Sequence, residues 1–195
     1  MEYAVAIIMG YLLGSVPVSL LVARRHGIDL RRTGDGNPGA WNALEQLGPR
    51  RAVPAFLGDG AKALAAGSIG LALGSWWVGF AAVAAAMVGH AFPVFASFRG
   101  GKAVMAFVGG GFALSPLAAG AALILCGAVT LATAFKWGAR VGVFTYPAIQ
   151  LAFDPVERVI ATGALMCLIG ALFGIDALRG RSARATRAAG AAPPG

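Results

Sequence analysis

Along the chain, long apolar runs alternate with brief polar breaks. At about twenty residues per membrane-spanning helix, five runs are long enough to cross a bilayer: Tyr3–Ala23, Val53–Leu73, Trp76–Phe98, Leu117–Phe135 and Val156–Ile175. Asp59 and Lys62 interrupt the second. Ala103–Leu114 and Val141–Phe153 are apolar but short, as tilted, half-buried or re-entrant segments are. The pattern predicts an all-α, polytopic integral membrane bundle of about seven transmembrane helices, two of them short. Five crossings result if neither short segment passes through. Either count is odd and puts the termini on opposite sides.

The positions of the charges separate these counts. Fourteen of the sixteen Lys and Arg residues lie in four breaks: Arg24, Arg25, Arg31, Arg32, Arg50 and Arg51; Arg99 and Lys102; Lys136 and Arg140; and Arg179, Arg181, Arg184 and Arg187. Seven crossings bring all four groups to one side, with Arg158 opposite and Lys62 inside a span. By the excess of basic residues on cytoplasmic loops, that side is the cytoplasm. Glu2 precedes the first run and no basic residue does, the reverse of a cleaved signal peptide. The first run therefore reads as a retained helix with its start outside, and the C-terminus as cytoplasmic. Residues 1–178 read as one membrane-embedded domain. Residues 179–195 read as a basic, disordered tail that meets anionic lipid headgroups.

Composition supports this reading. Of 195 residues, 58% are hydrophobic and 12% charged, against roughly a quarter charged in soluble domains. A soluble or disordered chain is excluded. The net charge of +8 sorts to one membrane face, so it sets topology and does not point to nucleic acid. The 29 glycines suit close helix packing in lipid. Cys126 and Cys167 sit inside apolar runs, which excludes a disulfide framework or a zinc site.

Two polar segments carry candidate chemistry. Arg32 to Glu45 reads RTGDGNPGAWNALE, whose glycines, proline and asparagines make tight turns with N–H groups able to cradle an anion. An ordinary polar loop has the same composition. Gly89 to Ala103 reads GHAFPVFASFRGGKA and sets Arg99 and Lys102 beside a Gly-Gly turn that enters an apolar helix. Such a turn suits phosphate, while the two cations by themselves also mark a membrane boundary. His90 is either catalytic or a hydrogen-bonded structural residue. Asp59 and Lys62, three apart, share a helix face and read first as an ion pair and second as part of a substrate site.

These residues resemble the PlsY family of bacterial acyl-phosphate:glycerol-3-phosphate acyltransferases. The resemblance rests on Gly14-Ser15-Val16-Pro17, a loop like GSGNxGATN, the Asp-x-x-Lys of the second span, and the long 89–103 motif. It implies a seven-helix bacterial inner-membrane protein of phospholipid synthesis. Such a protein moves a fatty acyl group from acyl phosphate to glycerol 3-phosphate, giving lysophosphatidic acid without metal or coenzyme. The donor is already activated, so the protein mainly positions substrates and neutralises phosphate. Its partners are acyl phosphate, glycerol 3-phosphate or another small acceptor, and membrane lipids.

Candidate catalytic residues are His90, Asn37 and Lys102. Candidate substrate-binding residues are Gly34, Asp35, Gly36, Gly39, Asn42 and Glu45 for the acceptor, with Arg99, Gly100, Gly101 and Lys102 for the donor phosphate.

The sequence departs from the family at several of these places. Asp35 replaces a serine, Trp41 a threonine and Glu45 a phosphate-binding arginine. Arg140-Val141-Gly142-Val143 lacks the third motif's serine, and Leu172 to Asp176 lacks a His and an Asn. On the resemblance, Arg31, Arg32 or Arg140 would substitute for the lost arginine. The departures leave open a changed, non-phosphorylated acceptor, a non-catalytic lipid- or partner-binding protein, and, less favoured, a small transporter.

Overall fold

The computed structural model describes the backbone of residues 1–190 and side chains as far as Leu178. Among these residues, helices and turns account for the whole chain. The first predicted span is two helices, α1 (Glu2–Gly14) and α2 (Val18–Arg24), which together run 23 residues. Pro17 causes the break, because it has no N–H to donate and disfavours helical backbone at Val16. The Val16 carbonyl at the break accepts from the Lys62 ammonium at 2.8 Å.

The polar stretch between the first two spans holds a short helix, α3 (Ala40–Leu47), where the sequence suggests only turns. It buries Ala40, Asn42 and Ala43 and turns Trp41 and Glu45 outward. Next come α4 (Pro49–Leu73), α5 (Trp76–Ala91) with a 3-10 turn at Val94–Ala96, α6 (Val104–Leu114) and α7 (Pro116–Ala132). In α8 (Phe135–Gln150) Lys136 and Arg140 lie in the first turns of the helix, not in a loop before it. The last helix, α9, spans Val156–Gly190. Its backbone is helical past residue 179, where the sequence reading begins a disordered tail; Ala and Arg are strong helix formers. Side chains from 179 onward and residues 191–195 lie outside the described residues.

Contacts at the helix ends show that the seven apolar segments alternate between two ends of one bundle. At one end Trp76 donates its indole N–H to Leu114 O (3.0 Å), Ser115 donates to Asp154, and Arg158 lies 3.5 Å from Asp154 and 5.1 Å from the Trp76 ring. At the other end Lys102 meets both Asp35 and Asp176, and Trp41 stacks on Phe135 at 5.8 Å. The two short predicted segments therefore both connect the ends, giving the seven-segment arrangement. The short α6, 11 residues long, rises only about 16 Å against a hydrocarbon core of about 30 Å. The turn that precedes it is consequently set back into the bundle.

Small residues let the helices approach this closely. A Cβ on Gly10 or Gly14 would run into the carbonyls of Ala82 and Ala86 of α5, and one on Gly109 of α6 would meet the Gly60 carbonyl of α4. A Cβ on Gly163 of α9 would meet nothing within 4 Å. Gly14→Ala should thus cost about 1–3 kcal/mol through overpacking, whereas Gly163→Ala should be neutral or gain about 0.5–1 kcal/mol. Thermal unfolding in detergent, followed by tryptophan fluorescence, checks the contrast; equal midpoints for the two variants would refute it.

Candidate functional site

The site is built on a charged cluster inside the bundle. Asp59 of α4 is 1% exposed, and a bare carboxylate there would carry a large desolvation cost. Ser19 of α2 donates to its Oδ2 at 2.5 Å, and the Lys62 ammonium, one helical turn on, lies 2.9 Å from its Oδ1. The expected ion pair is present. His90 of α5 brings Nδ1 to 3.6 Å from the same oxygen. Three helices are thus joined at one carboxylate, and Lys62 extends the link to the break at Val16.

His90 carries the cluster toward the Gly-Gly turn. A Cβ on Gly101 would meet His90 Nε2 and, at 3.4 Å, the Cα of Gly39. Only glycine lets the turn lie between the imidazole and the polar loop. The Gly101 and Gly100 N–H groups donate to the carbonyls of His90 (3.1 Å) and Ala91 (3.0 Å). They satisfy the open C-terminal carbonyls of α5, so these amides are already engaged and do not form the anion cradle that the sequence suggests. Three non-glycine residues with left-handed backbone, Ser97, Phe98 and Ala103 (φ 55°, 56° and 58°), surround this turn. Such conformations persist where packing holds them, often at functional sites.

The polar loop is built around Asn42. This buried amide donates toward the carbonyls of Leu30, Thr33 and Asn37, each at 3.0 Å. Asp35 closes the turn by accepting the Asn37 N–H at 2.9 Å. Arg31 ties the loop to the next one, donating to Ala96 O (2.5 Å) and Arg99 O (2.8 Å). Gly34 and Gly36 take positive φ in the loop, and Gly34 packs against Asn42.

Above the turn, a small open cleft is lined by Asn37, Gly100, Gly101, Lys102 and, from α9, Leu172 and Asp176. The Lys102 ammonium lies 2.9 Å from Asp176, 3.4 Å from Asp35 and 4.8 Å from the centre of the Phe173 ring. Of the sequence-predicted residues, the structure brings Asn37, Asp35, Gly100, Gly101 and Lys102 together at this cleft. Gly39 packs just below it. His90 lies beneath the Gly-Gly turn in the Asp59 cluster, apart from the Lys102 ammonium. Glu45 faces outward and accepts the Trp41 indole N–H at 2.8 Å, while Arg99 is exposed and meets the loop only through its carbonyl.

None of the arginines considered as substitutes lines the cleft. Arg31 holds backbone carbonyls, Arg32 lies 3.7 Å from Asp29, and Arg140 stacks 5.0 Å over Trp137. Sequence reasoning missed Asp176 and Phe173. The available signal was a lone carboxylate one turn after an aromatic at the end of an apolar run.

The chain is similar to known proteins over most of its length. The family model described as Glycerol-3-phosphate acyltransferase matches residues 4–180. A glycerol-3-phosphate acyltransferase of Rubrobacter xylanophilus is 44% identical over 111 residues, a stretch that spans 56% of each chain. One of Syntrophomonas wolfei is 34% identical over 171 residues, covering 87% of this chain and 88% of the relative. Among solved structures, the glycerol 3-phosphate form of PlsY (YgiH), an integral membrane glycerol 3-phosphate acyltransferase, superposes with a TM-score of 0.80. It is 27% identical and covers 94% of each chain.

The Asp59 cluster yields a stability test. Asp59→Ala leaves the Lys62 ammonium buried without its carboxylate and should cost about 3–5 kcal/mol. Asp59→Leu combined with Lys62→Met should recover most of that loss, since an apolar pair of similar volume replaces a buried ion pair at little cost. Unfolding midpoints of the three proteins in one detergent decide the matter; a double variant no more stable than Asp59→Ala contradicts the pairing.

Proposed function

The chain belongs to the glycerol-3-phosphate acyltransferase family, and from that membership we propose that it transfers a fatty acyl group from acyl phosphate to glycerol 3-phosphate, forming lysophosphatidic acid. The acceptor hydroxyl oxygen attacks the acyl carbonyl carbon, the bond from that carbon to the phosphate oxygen breaks, and inorganic phosphate leaves. The hydroxyl proton passes to the departing phosphate or to water. Because the mixed anhydride is already activated, this chain's contribution is to position the two substrates and offset phosphate charge.

The observation that carries this reading is the Lys102 ammonium, 15% exposed, standing in a cleft with Asn37 between the polar loop and α9. On this reading Lys102 contacts phosphate and Asn37 orients the acceptor. Asn42, Gly34, Gly36 and Gly39 shape the loop. Gly100 and Gly101 set the height of Lys102, with His90 supporting them from below as a positioning residue. The apolar flank of α9 at Leu172 and Ile175 is the entry for the acyl chain, each buried methylene contributing about 0.8 kcal/mol.

The protein is a multi-pass membrane protein. The end bearing Lys102 is the cytoplasmic one in our reading, because the basic breaks gather there, so the N-terminus is outside and the C-terminus inside. Residues 1–178 form the membrane domain in this reading.

Two measurements test the proposal. In bacterial liposomes reconstituted with the protein, acyl phosphate and glycerol 3-phosphate should give lysophosphatidic acid by mass spectrometry, and Lys102→Ala should reduce the rate by about 10²-fold. Product no higher than a protein-free control refutes the reading. A C-terminal fusion to a fluorescent protein that matures only in the cytoplasm should be bright; a dark fusion with full-length protein in the membrane reverses the orientation.

A further inference from the structure

We propose that Asp35 and Asp176 set the affinity of the cleft for phosphate by holding the Lys102 ammonium against it. This rests on the reading of Lys102 as the phosphate-contacting cation. The two carboxylates come from separate parts of the fold, one from the polar loop and one from α9, and converge on a single Nζ at 3.4 Å and 2.9 Å. The three groups together carry one net negative charge. A phosphate group cannot take a full share of the ammonium while both carboxylates keep theirs, because like charges at one cation repel.

The exposures indicate which partner gives way. Lys102 is 15% exposed, whereas Asp35 and Asp176 are 45% and 47% exposed. The acids form the outer layer, between the cation and water, and each can give up its contact with the ammonium: Asp176 by turning into solvent, Asp35 by releasing Oδ2 while Oδ1 keeps the Asn37 N–H. Ion pairs at that exposure are individually weak, so phosphate displaces them at a modest cost that adds to its apparent dissociation constant. Phe173, one turn before Asp176 on the same face of α9, remains beside the ammonium at 4.8 Å when the carboxylates leave and keeps it in the cleft. Asp176, at the shorter distance, is the stronger competitor. Asp35 also accepts the Asn37 N–H, so asparagine, which keeps an acceptor oxygen, removes its charge without opening the turn.

The test uses the full-length protein in detergent with inorganic phosphate as the probe, by calorimetric titration at constant ionic strength. Asp176→Asn should tighten phosphate binding by about threefold, Asp35→Asn by about twofold, and the double variant by about their product, roughly sixfold. Asp176→Glu, which keeps the charge, should bind as the wild type does. Adding Lys102→Met should abolish the gain. Variants that bind no tighter than the wild type, a gain that survives Lys102→Met, or no phosphate binding by any of these proteins overturns the proposal. Acyl transfer to glycerol 3-phosphate, measured in parallel, separates the two claims. Tighter phosphate binding without any transfer overturns the acyltransferase reading and leaves the competition standing. Transfer with unchanged phosphate affinity does the reverse.

Discussion

A carboxylate inside an apolar bundle must be neutralised by groups that reach it, and the way Asp59 is neutralised locates everything around the site. At 1% exposure the carboxylate is cut off from bulk solvent, so protein groups must offset its charge. Ser19, Lys62 and His90 therefore converge on it from α2, α4 and α5. Each of these partners is tied in turn to a feature that would otherwise lack support. Lys62 takes the carbonyl released where Pro17 breaks the first span. His90 lies under Gly101 and receives the turn between two residues of the polar loop and α5. A single buried charge thus fixes the bend of the first span, the alignment of two others and the floor of the cleft.

The same chemistry is used differently a few residues away. Asp59 and Lys62 are almost wholly enclosed, so their pairing is not exchangeable: removing one partner strands the other. Asp35, Lys102 and Asp176 stand at the rim, where water competes for each charge and pairing is weak. Burial alone separates a structural ion pair from one that a ligand can displace. The cleft therefore combines a rigid base with an adjustable cation. At the opposite end of the bundle Ser115, Asp154, Arg158 and Trp76 close the turns between α4 and α5, α6 and α7, and α8 and α9, which holds the alternation of the segments without contributing to the cleft.

Much of this was legible in the residues, and what was not has a physical cause. The seven apolar segments, the Asp59 and Lys62 pair, and the two polar motifs follow from hydrophobic length, helical spacing and turn chemistry, all of which are local. The split at Pro17 was visible as a proline in an apolar run, yet apolar length alone reads straight through it. The helix α3 was hidden because its turn-rich approach masks eight residues with one small buried face. Gly100 and Gly101 offered anion-binding amides on paper, but the carbonyls they engage belong to the end of α5, some ten residues earlier in the chain. Glu45 likewise stands in sequence among the candidate acceptor residues, and it faces outward against Trp41.

By itself, the sequence determined the environment, the helical class, the sorting of charge to one face and the family resemblance, because hydrophobic length and motif spacing are properties of neighbouring residues. Only the tertiary structure decided that both short segments join the two ends of the bundle, that His90 supports the turn from below, and that two acids from distant segments meet at Lys102. Those outcomes depend on which helices pack together. Close approach at glycine and the need to neutralise a buried charge set that packing, and both act between residues that the chain order holds far apart.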